Sequence, residues 1–432
     1  MGDGIYSADV KLEPYWWDDA RPLPTSPEPL PPTADVLIVG AGYSGLSAGL
    51  TLAEGGRGVL VLDALKPGEA ASSRNGGAVG ETLRISFAKM IKERGLDAAV
   101  ATYTEVREAR AYLEHLIQSR AISCDYQRVG RFIGCHTPKY YDPLARDLEL
   151  RQKHIGFDAE MIPQAEQHRV IGSDAYFGGR LIRSDGNLHP AKLVAGLLAS
   201  VRAAGGKVLG DVRVTGIERD GSGFTVTANG QSIKAREVVV CTNGYTGPEM
   251  KWLKPRLIPI QSQIIATAPI DSAILDRLIP QSRQLGDTCN LHYYYRRSPD
   301  GRRILFGGRA GAHHINDPRR SGAHLYKRMI EVFPELVGTP VTHSWAGFIA
   351  YTFDHIQHMR EHDGVHYVSG CCGSGVVMQT WLGHRTALGL LGKASGQSTF
   401  DRPYMTRPLY NGNPWFLPAT VFYYGVRDRL RL

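Results

Sequence analysis

The sequence predicts an α/β fold with α+β character: a Rossmann-like domain built on a parallel sheet, joined to a second, antiparallel β-rich domain. Three observations predict it. "DVLIV" (35–39) and "GVLVLDA" (58–64) are continuous apolar runs, as expected of strands buried on both faces. Between them, "SGLSAGLTLAEGG" sets Leu46, Leu50 and Ala53 at helical spacing and stops at Gly55-Gly56, so the unit is βαβ. From 206 to 245 short alternating strands dominate, with an Asn-Gly hairpin signal at 229 and 230, and the β pattern continues from 257 to 310.

The other elements follow in order. Prolines 22, 24, 27, 29, 31 and 32 make residues 21–33 an extended arm, because proline fixes φ and lacks a backbone donor. Residues 81–120 read as helical, and 190–205 as a helix opened by Pro190 and closed by Gly205-Gly206. A helix near 321–333, strands around 341–352 and 364–369, and a long helix from about 375 to 394 complete the chain.

A chain of 432 residues suffices for two domains and a large core, and its 43% hydrophobic and 21% charged content is ordinary for a globular protein. The charge of +8 (50 Lys+Arg, 42 Asp+Glu) suits an anionic cofactor or an acidic substrate. No RNA-binding motif or basic helical stripe accompanies it, so no nucleic acid is expected. No membrane span or signal peptide is read, and Tyr6 stands where a myristoylation pattern needs Ser or Thr. Six scattered cysteines without a CxxC argue for reduced thiols and a cytoplasmic setting.

Gly40-Ala-Gly42-Tyr-Ser44-Gly45 falls between the first strand and its helix, and Asp63, followed by Ala64, ends the second strand 18 residues after Gly45. Gly40 permits the tight turn, Gly42 lets the backbone approach a pyrophosphate, and Gly45 lets helix and strand pack closely. The free N–H groups of the helix start face phosphate charge, and Asp63 accepts from ribose hydroxyls. The motif leaves FAD and NAD equally open.

Further blocks carry a resemblance: "GEAASSRNGGAVG" (68–80), "SDGNLHPAKLVAGL" (184–197), "REVVVCTNGYTG" (236–247), "RRILFGG" (302–308), "WAGFIAYTFDHIQH" (345–358) and "VSGCCGSGVV" (368–377). With these the chain resembles the FAD-dependent D-amino acid oxidase superfamily, within it the branch of glycine, sarcosine and γ-glutamylputrescine oxidases. The resemblance implies FAD as cofactor. It also implies a discontinuous FAD-binding domain (34–110, 185–250 and 340–432), a substrate-binding domain (111–184 and 251–339) and an N-terminal arm (1–33).

By the same resemblance, Ser72, Ser73, Arg74, Asn75, Gly76 and Gly77 pass beside pyrophosphate and flavin ring, Val214 meets adenine through its backbone, and Thr242, Asn243 and Gly244 run close to the cofactor. Ile349 occupies a position where some relatives attach flavin through cysteine, and residues 68–80 hold no histidine, so non-covalent FAD is expected.

The run GCCGSG (370–375) could be a redox pair, a metal site or a tight turn. It lies between a strand and a helix start, where backbone N–H groups at the positive helix end can face the flavin edge that gains negative charge on reduction. In the family this position does so, which assigns Gly373, Ser374, Gly375, Val376 and Val377 to the cofactor. A vicinal Cys371–Cys372 disulfide needs a strained ring. His355, His358, His362 and His366 have spacings compatible with a metal, but they fall in a strand and turn, and no metal is expected.

The expected chemistry is oxidation of an amine C–N bond by hydride transfer to flavin N5, followed by hydrolysis of the imine, with O2 reduced to H2O2. The expected partner is a small-molecule secondary amine or N-substituted amino acid, and an oligomer is admitted. Candidate catalytic residues are Tyr351, Trp345, His292 and Tyr294, with Phe348 and Asp354 as near neighbours. His292, Tyr293, Tyr294 and Tyr295 alternate along a strand, so one parity alone can face a cavity. Arg296, Arg302 and Arg309 are candidates for a substrate carboxylate. A D-amino acid dehydrogenase passing electrons to a quinone or carrier, and a non-catalytic flavin-binding assembly protein, are the alternatives.

Overall fold

The computed structural model describes residues 3–25, 28–309 and 315–431. The βαβ unit forms as β1 (Thr33–Val39), α1 (Tyr43–Glu54) and β2 (Val59–Leu62), the strands parallel from Val36↔Val59 to Val39↔Leu62. Val36 and Ile38 pack toward Leu46 and Leu50 of α1, whereas Leu37 and Val39 join Val226 and Val240 on the other face. Both faces of β1 are covered, which is why its sequence is apolar without alternation. On the other flank β3 (Gln231–Val240) runs parallel to β1, and its first half forms a hairpin with Gly223–Ala228. The hairpin turns at Asn229 and Gly230 with φ of +46° and +76°, the two positive values that a type I′ turn requires.

Among the described residues the second sheet has nine strands, mostly antiparallel. Among them are β4 (Ile258–Thr267), β5 (Tyr294–Arg297) and β6 (Val341–Tyr351), with β4 and β6 paired antiparallel from Ile258↔Tyr351 to Thr267↔Val341. Residues 341–351, grouped by sequence with the cofactor-binding segments, belong to this sheet because β6 pairs along its whole length with β4. Residues 6–11, assigned to the arm, form an edge strand parallel to β6. Residues 21–25 and 28–32 carry neither helix nor strand, as the prolines dictate; Ser26 and Pro27 fall outside the described residues.

The chain then returns through β7 (Val365–Ser369), parallel to β3, and enters α2 (Gly375–Leu390). Helices Phe87–Arg94, Leu96–Ser119, Pro190–Ala203 and Pro318–Val332 occupy the expected segments. No helix among the described residues is long and apolar enough to cross a membrane.

Candidate active site

Two helix starts and one loop make a cradle. Gly42 caps α1 without a side-chain hydrogen bond; a Cβ there would sit 2.8 Å from Ser72 Oγ, and one on Gly45 would run into the Gly40 carbonyl oxygen. Only glycine allows both approaches. Asp63 braces the glycine turn, its Oδ2 accepting from Ala41 N at 2.7 Å and its Oδ1 from Leu65 N at 2.9 Å. Burial raises its carboxyl pKa to about 6, against the pull of those two backbone bonds. Ala64 follows, half-buried, and Val214 starts the buried end of the strand Val214–Asp220. Ser44 turns the other way, donating to Gln379 Oε1 at 3.0 Å and so fixing α1 against α2.

The Ser72–Gly77 loop is held against this turn by three indoles. Trp16 Nε1 donates to Asn75 O (2.9 Å), Trp17 Nε1 to Ser73 Oγ (3.1 Å) and Trp345 Nε1 to Arg74 O (2.8 Å). Asn75 stiffens the loop from within, donating to Ser72 O at 2.9 Å and accepting from Gly77 N at 2.8 Å. The Arg74 guanidinium lies 4.5 Å from the Trp17 ring centroid. Trp16 and Trp17, both buried, lie in the stretch "EPYWWDDA" (13–20), which shares the family resemblance but was given no site role from the sequence.

The turn GCCGSG meets the end of β6. Gly370, Cys372 and Gly373 have φ of +76°, +46° and +91°, and this left-handed path is the physical use of the glycines. Cys372 N donates to Ala350 O at 3.0 Å, and Asn243 Oδ1 accepts from Gly370 N at 3.0 Å. Ser374 precedes α2 but does not cap it, because its hydroxyl donates to Thr82 O at 2.7 Å. The first N–H groups of α2, on Gly375, Val376 and Val377, therefore lack a side-chain acceptor and carry the positive end of the helix. A Cβ on Gly373 would lie 3.8 Å from the Tyr351 hydroxyl. Burial raises the Tyr351 pKa to about 12, with Arg84 and Arg309 pulling it down, so the phenol stays a donor. On β5, Tyr294 packs on Gly76 and bonds Ser262 Oγ at 3.0 Å; its pKa, raised to about 12 by burial, also responds to Tyr351.

Uncapped starts on both helices, glycine approaches and a braced acid are what a dinucleotide bearing a flavin requires, so the residues fit FAD. A family profile described as "FAD dependent oxidoreductase" matches residues 35–388. The chain belongs to this family. The chain is therefore an FAD-dependent oxidoreductase. It is 30% identical over 404 residues to the gamma-glutamylputrescine oxidoreductase of Escherichia coli, covering 92% of this chain and 93% of that one. It is 28% identical over 425 residues to the probable oxidoreductase OrdL of Rhizobium meliloti, covering 96% and 97%. Among solved structures, glycine oxidase from Geobacillus kaustophilus superposes with a TM-score of 0.72 at 20% identity, covering 88% of this chain and 99% of that one.

The remaining candidate residues of the oxidoreductase divide by geometry. Tyr293 and Tyr295 point into the apolar core, Tyr295 bonding Tyr176, while His292 and Tyr294 share the opposite face. His292 Nδ1 is 2.9 Å from Asp287 O, at the margin of that face. Trp345, a candidate catalytic residue by sequence, is 1% exposed with its N–H on the loop. Arg296, one of three candidates for a substrate carboxylate, is buried and donates to Leu188 O at 2.8 Å. Arg302 is exposed. Thr242 bonds Thr246, and Gly244 lies against the Phe348 carbonyl. The four histidines of 355–366 have separate surroundings: His355 meets Tyr351, His358 binds Asp354 at 3.0 Å, His362 stacks on Trp252, and His366 is half-buried on β7. Cys371 and Cys372 are both free. Sequence reasoning missed Arg84, an exposed residue whose charge reaches both Tyr351 and His355.

Proposed function

We propose that the enzyme oxidises the C–N bond of a small secondary amine or N-substituted amino acid of the γ-glutamylputrescine or sarcosine kind, with non-covalent FAD and O2 as acceptor. The observation that carries this reading is the Tyr351 phenol lying beside Gly373 at the start of α2, where the charges of Arg84 and Arg309 act on it. Bound FAD supplies a hydride acceptor for the carbon next to the amine nitrogen. Tyr351, protonated across the neutral range, donates a hydrogen bond that orients the substrate. Arg309, whose pKa burial lowers from its ordinary value, and Arg84 favour a substrate bearing a carboxylate. Gly373, Gly375, Val376 and Val377 present N–H dipoles where negative charge develops. The amine nitrogen gives its lone pair to the C=N bond as the hydride leaves, and water then hydrolyses the imine to a carbonyl compound and a smaller amine.

Non-covalent binding is supported by Ile349 at the attachment position and by the burial of all six cysteines. Acid precipitation should release all the flavin; yellow protein in the pellet would contradict it. With γ-glutamylputrescine, sarcosine, D-alanine and a cyclic amine as substrates, aerobic turnover should yield H2O2 equal to the amine consumed. Turnover with an artificial quinone but not with O2 would replace the oxidase by the dehydrogenase.

A further inference from the structure

We propose that His136, Cys289 and Asp428 bind a divalent transition-metal ion of the zinc class, which fastens the C-terminal helix to the loop leading into β5. The three residues come from distant parts of the chain: just beyond the strand Arg131–Gly134, between the strand Gln284–Asp287 and β5, and in the helix Leu417–Leu430. One ligand atom of each lies within 4.8 Å of the others, and His136 Nε2 is 3.9 Å from Asp428 Oδ1. Ligand atoms around a tetrahedral zinc at bond lengths of roughly 2.0–2.3 Å stand roughly 3.3–3.8 Å apart, so small side-chain shifts close the site.

The His136 ring presents a free lone pair. His136 is 5% exposed, and its Nε2 is buried with no hydrogen-bond partner. Its Nδ1 is 2.9 Å from Thr288 Oγ1; with the proton there, Nε2 presents a lone pair to Cys289 and Asp428. Burial lowers the imidazole pKa, which favours the neutral ligand form. Cys289 is 6% exposed and in no disulfide. Burial and then Asp287 raise its thiol pKa, Arg328 from the helix Pro318–Val332 opposes them, and Asp428 adds to the rise. A thiol held protonated between two carboxylates becomes a thiolate when a cation arrives and the proton leaves.

Asp428 is already aimed. Its Oδ1 accepts from Asn290 N at 3.0 Å and Asn290 Nδ2 at 2.7 Å, and its Oδ2 from Leu291 N at 2.9 Å. These bonds fix the carboxylate over the loop as an outer shell fixes a ligand. Nitrogen, sulfur and oxygen together select a zinc-class ion over magnesium or calcium, which take oxygen sets, and water completes the fourth position. Because Leu291 precedes His292, the metal ties the C-terminal helix to the margin of the Tyr294 face.

Holoprotein freed of metal by chelator is titrated with Zn2+ by calorimetry and with Co2+ by absorbance to the red of the flavin bands. One equivalent of Zn2+ and the absorption of tetrahedral Co2+ are expected, with a Zn2+-dependent rise in melting temperature. Cys289→Ser and His136→Gln should each weaken Zn2+ binding by at least about tenfold. Absence of stoichiometric binding to the wild-type holoprotein overturns the proposal whether or not the variants fold. Wild-type affinity retained in both folded variants overturns it equally.

Discussion

The cofactor cradle and the proposed substrate face border the same Ser72–Gly77 loop and are built by opposite means. The cradle is made of contiguous chain: glycines 40, 42 and 45, the start of α1, and Asp63 one strand later. The proposed substrate face would draw on Arg84, Tyr294, Arg309, Tyr351 and the 370–375 turn, of which Tyr351 and the turn are brought together as β6 pairs with β4 and the turn is sewn to Ala350. A main-chain site tolerates few side chains and so writes itself into local sequence. A side-chain site depends on sheet register, and one residue of slip would turn Tyr294 into the core.

Ways to break this contrast differ in size. Gly42→Val should weaken FAD binding by about 100-fold or more, because the new side chain fills the approach opposite Ser72; fluorescence titration of apoprotein measures it. Tyr351→Phe should leave FAD bound and lower kcat/KM by about 10- to 100-fold, the worth of one hydrogen bond in a buried site. FAD affinity should fall about tenfold between pH 7 and pH 5, as Asp63 with its pKa of about 6 takes up a proton and loses acceptor capacity. The sign reverses for apoprotein stability: the raised carboxyl pKa makes its contribution most favourable below about pH 4, and that contribution is lost by about pH 6. Trp345→Phe removes a single donor to Arg74 O and should cost about 1 kcal/mol, roughly fivefold in FAD affinity, with kcat little changed. A larger loss of kcat than of affinity there would return Trp345 to the catalytic candidates.

The βαβ unit, the Asn229-Gly230 hairpin and the helix opened by Pro190 were legible because each is encoded by neighbours: continuous apolar strands, an Asn-Gly pair that takes positive φ, a proline at the first turn. The parity of residues 292–295 was legible as a rule, while its sign was not, since nothing local says which face of a strand meets the cofactor. The hydrogen bonds of Arg296 and Trp345 were hidden for the same reason. Residues of suitable chemistry beside the site turned out to hold backbone, Leu188 O and Arg74 O, that lies far away in sequence. Arg84 was invisible because its neighbours Tyr351 and His355 come from the far end of the chain.

The account rests on a flavin reduced by an amine at the Tyr351 face. Anaerobic titration of the holoprotein with γ-glutamylputrescine and N-methyl amino acids, followed by flavin absorbance, tests it directly. The account predicts complete bleaching by at least one of them and one carbonyl product per flavin. A flavin that stays oxidised with all of them, while the protein is folded and loaded with FAD, would contradict it.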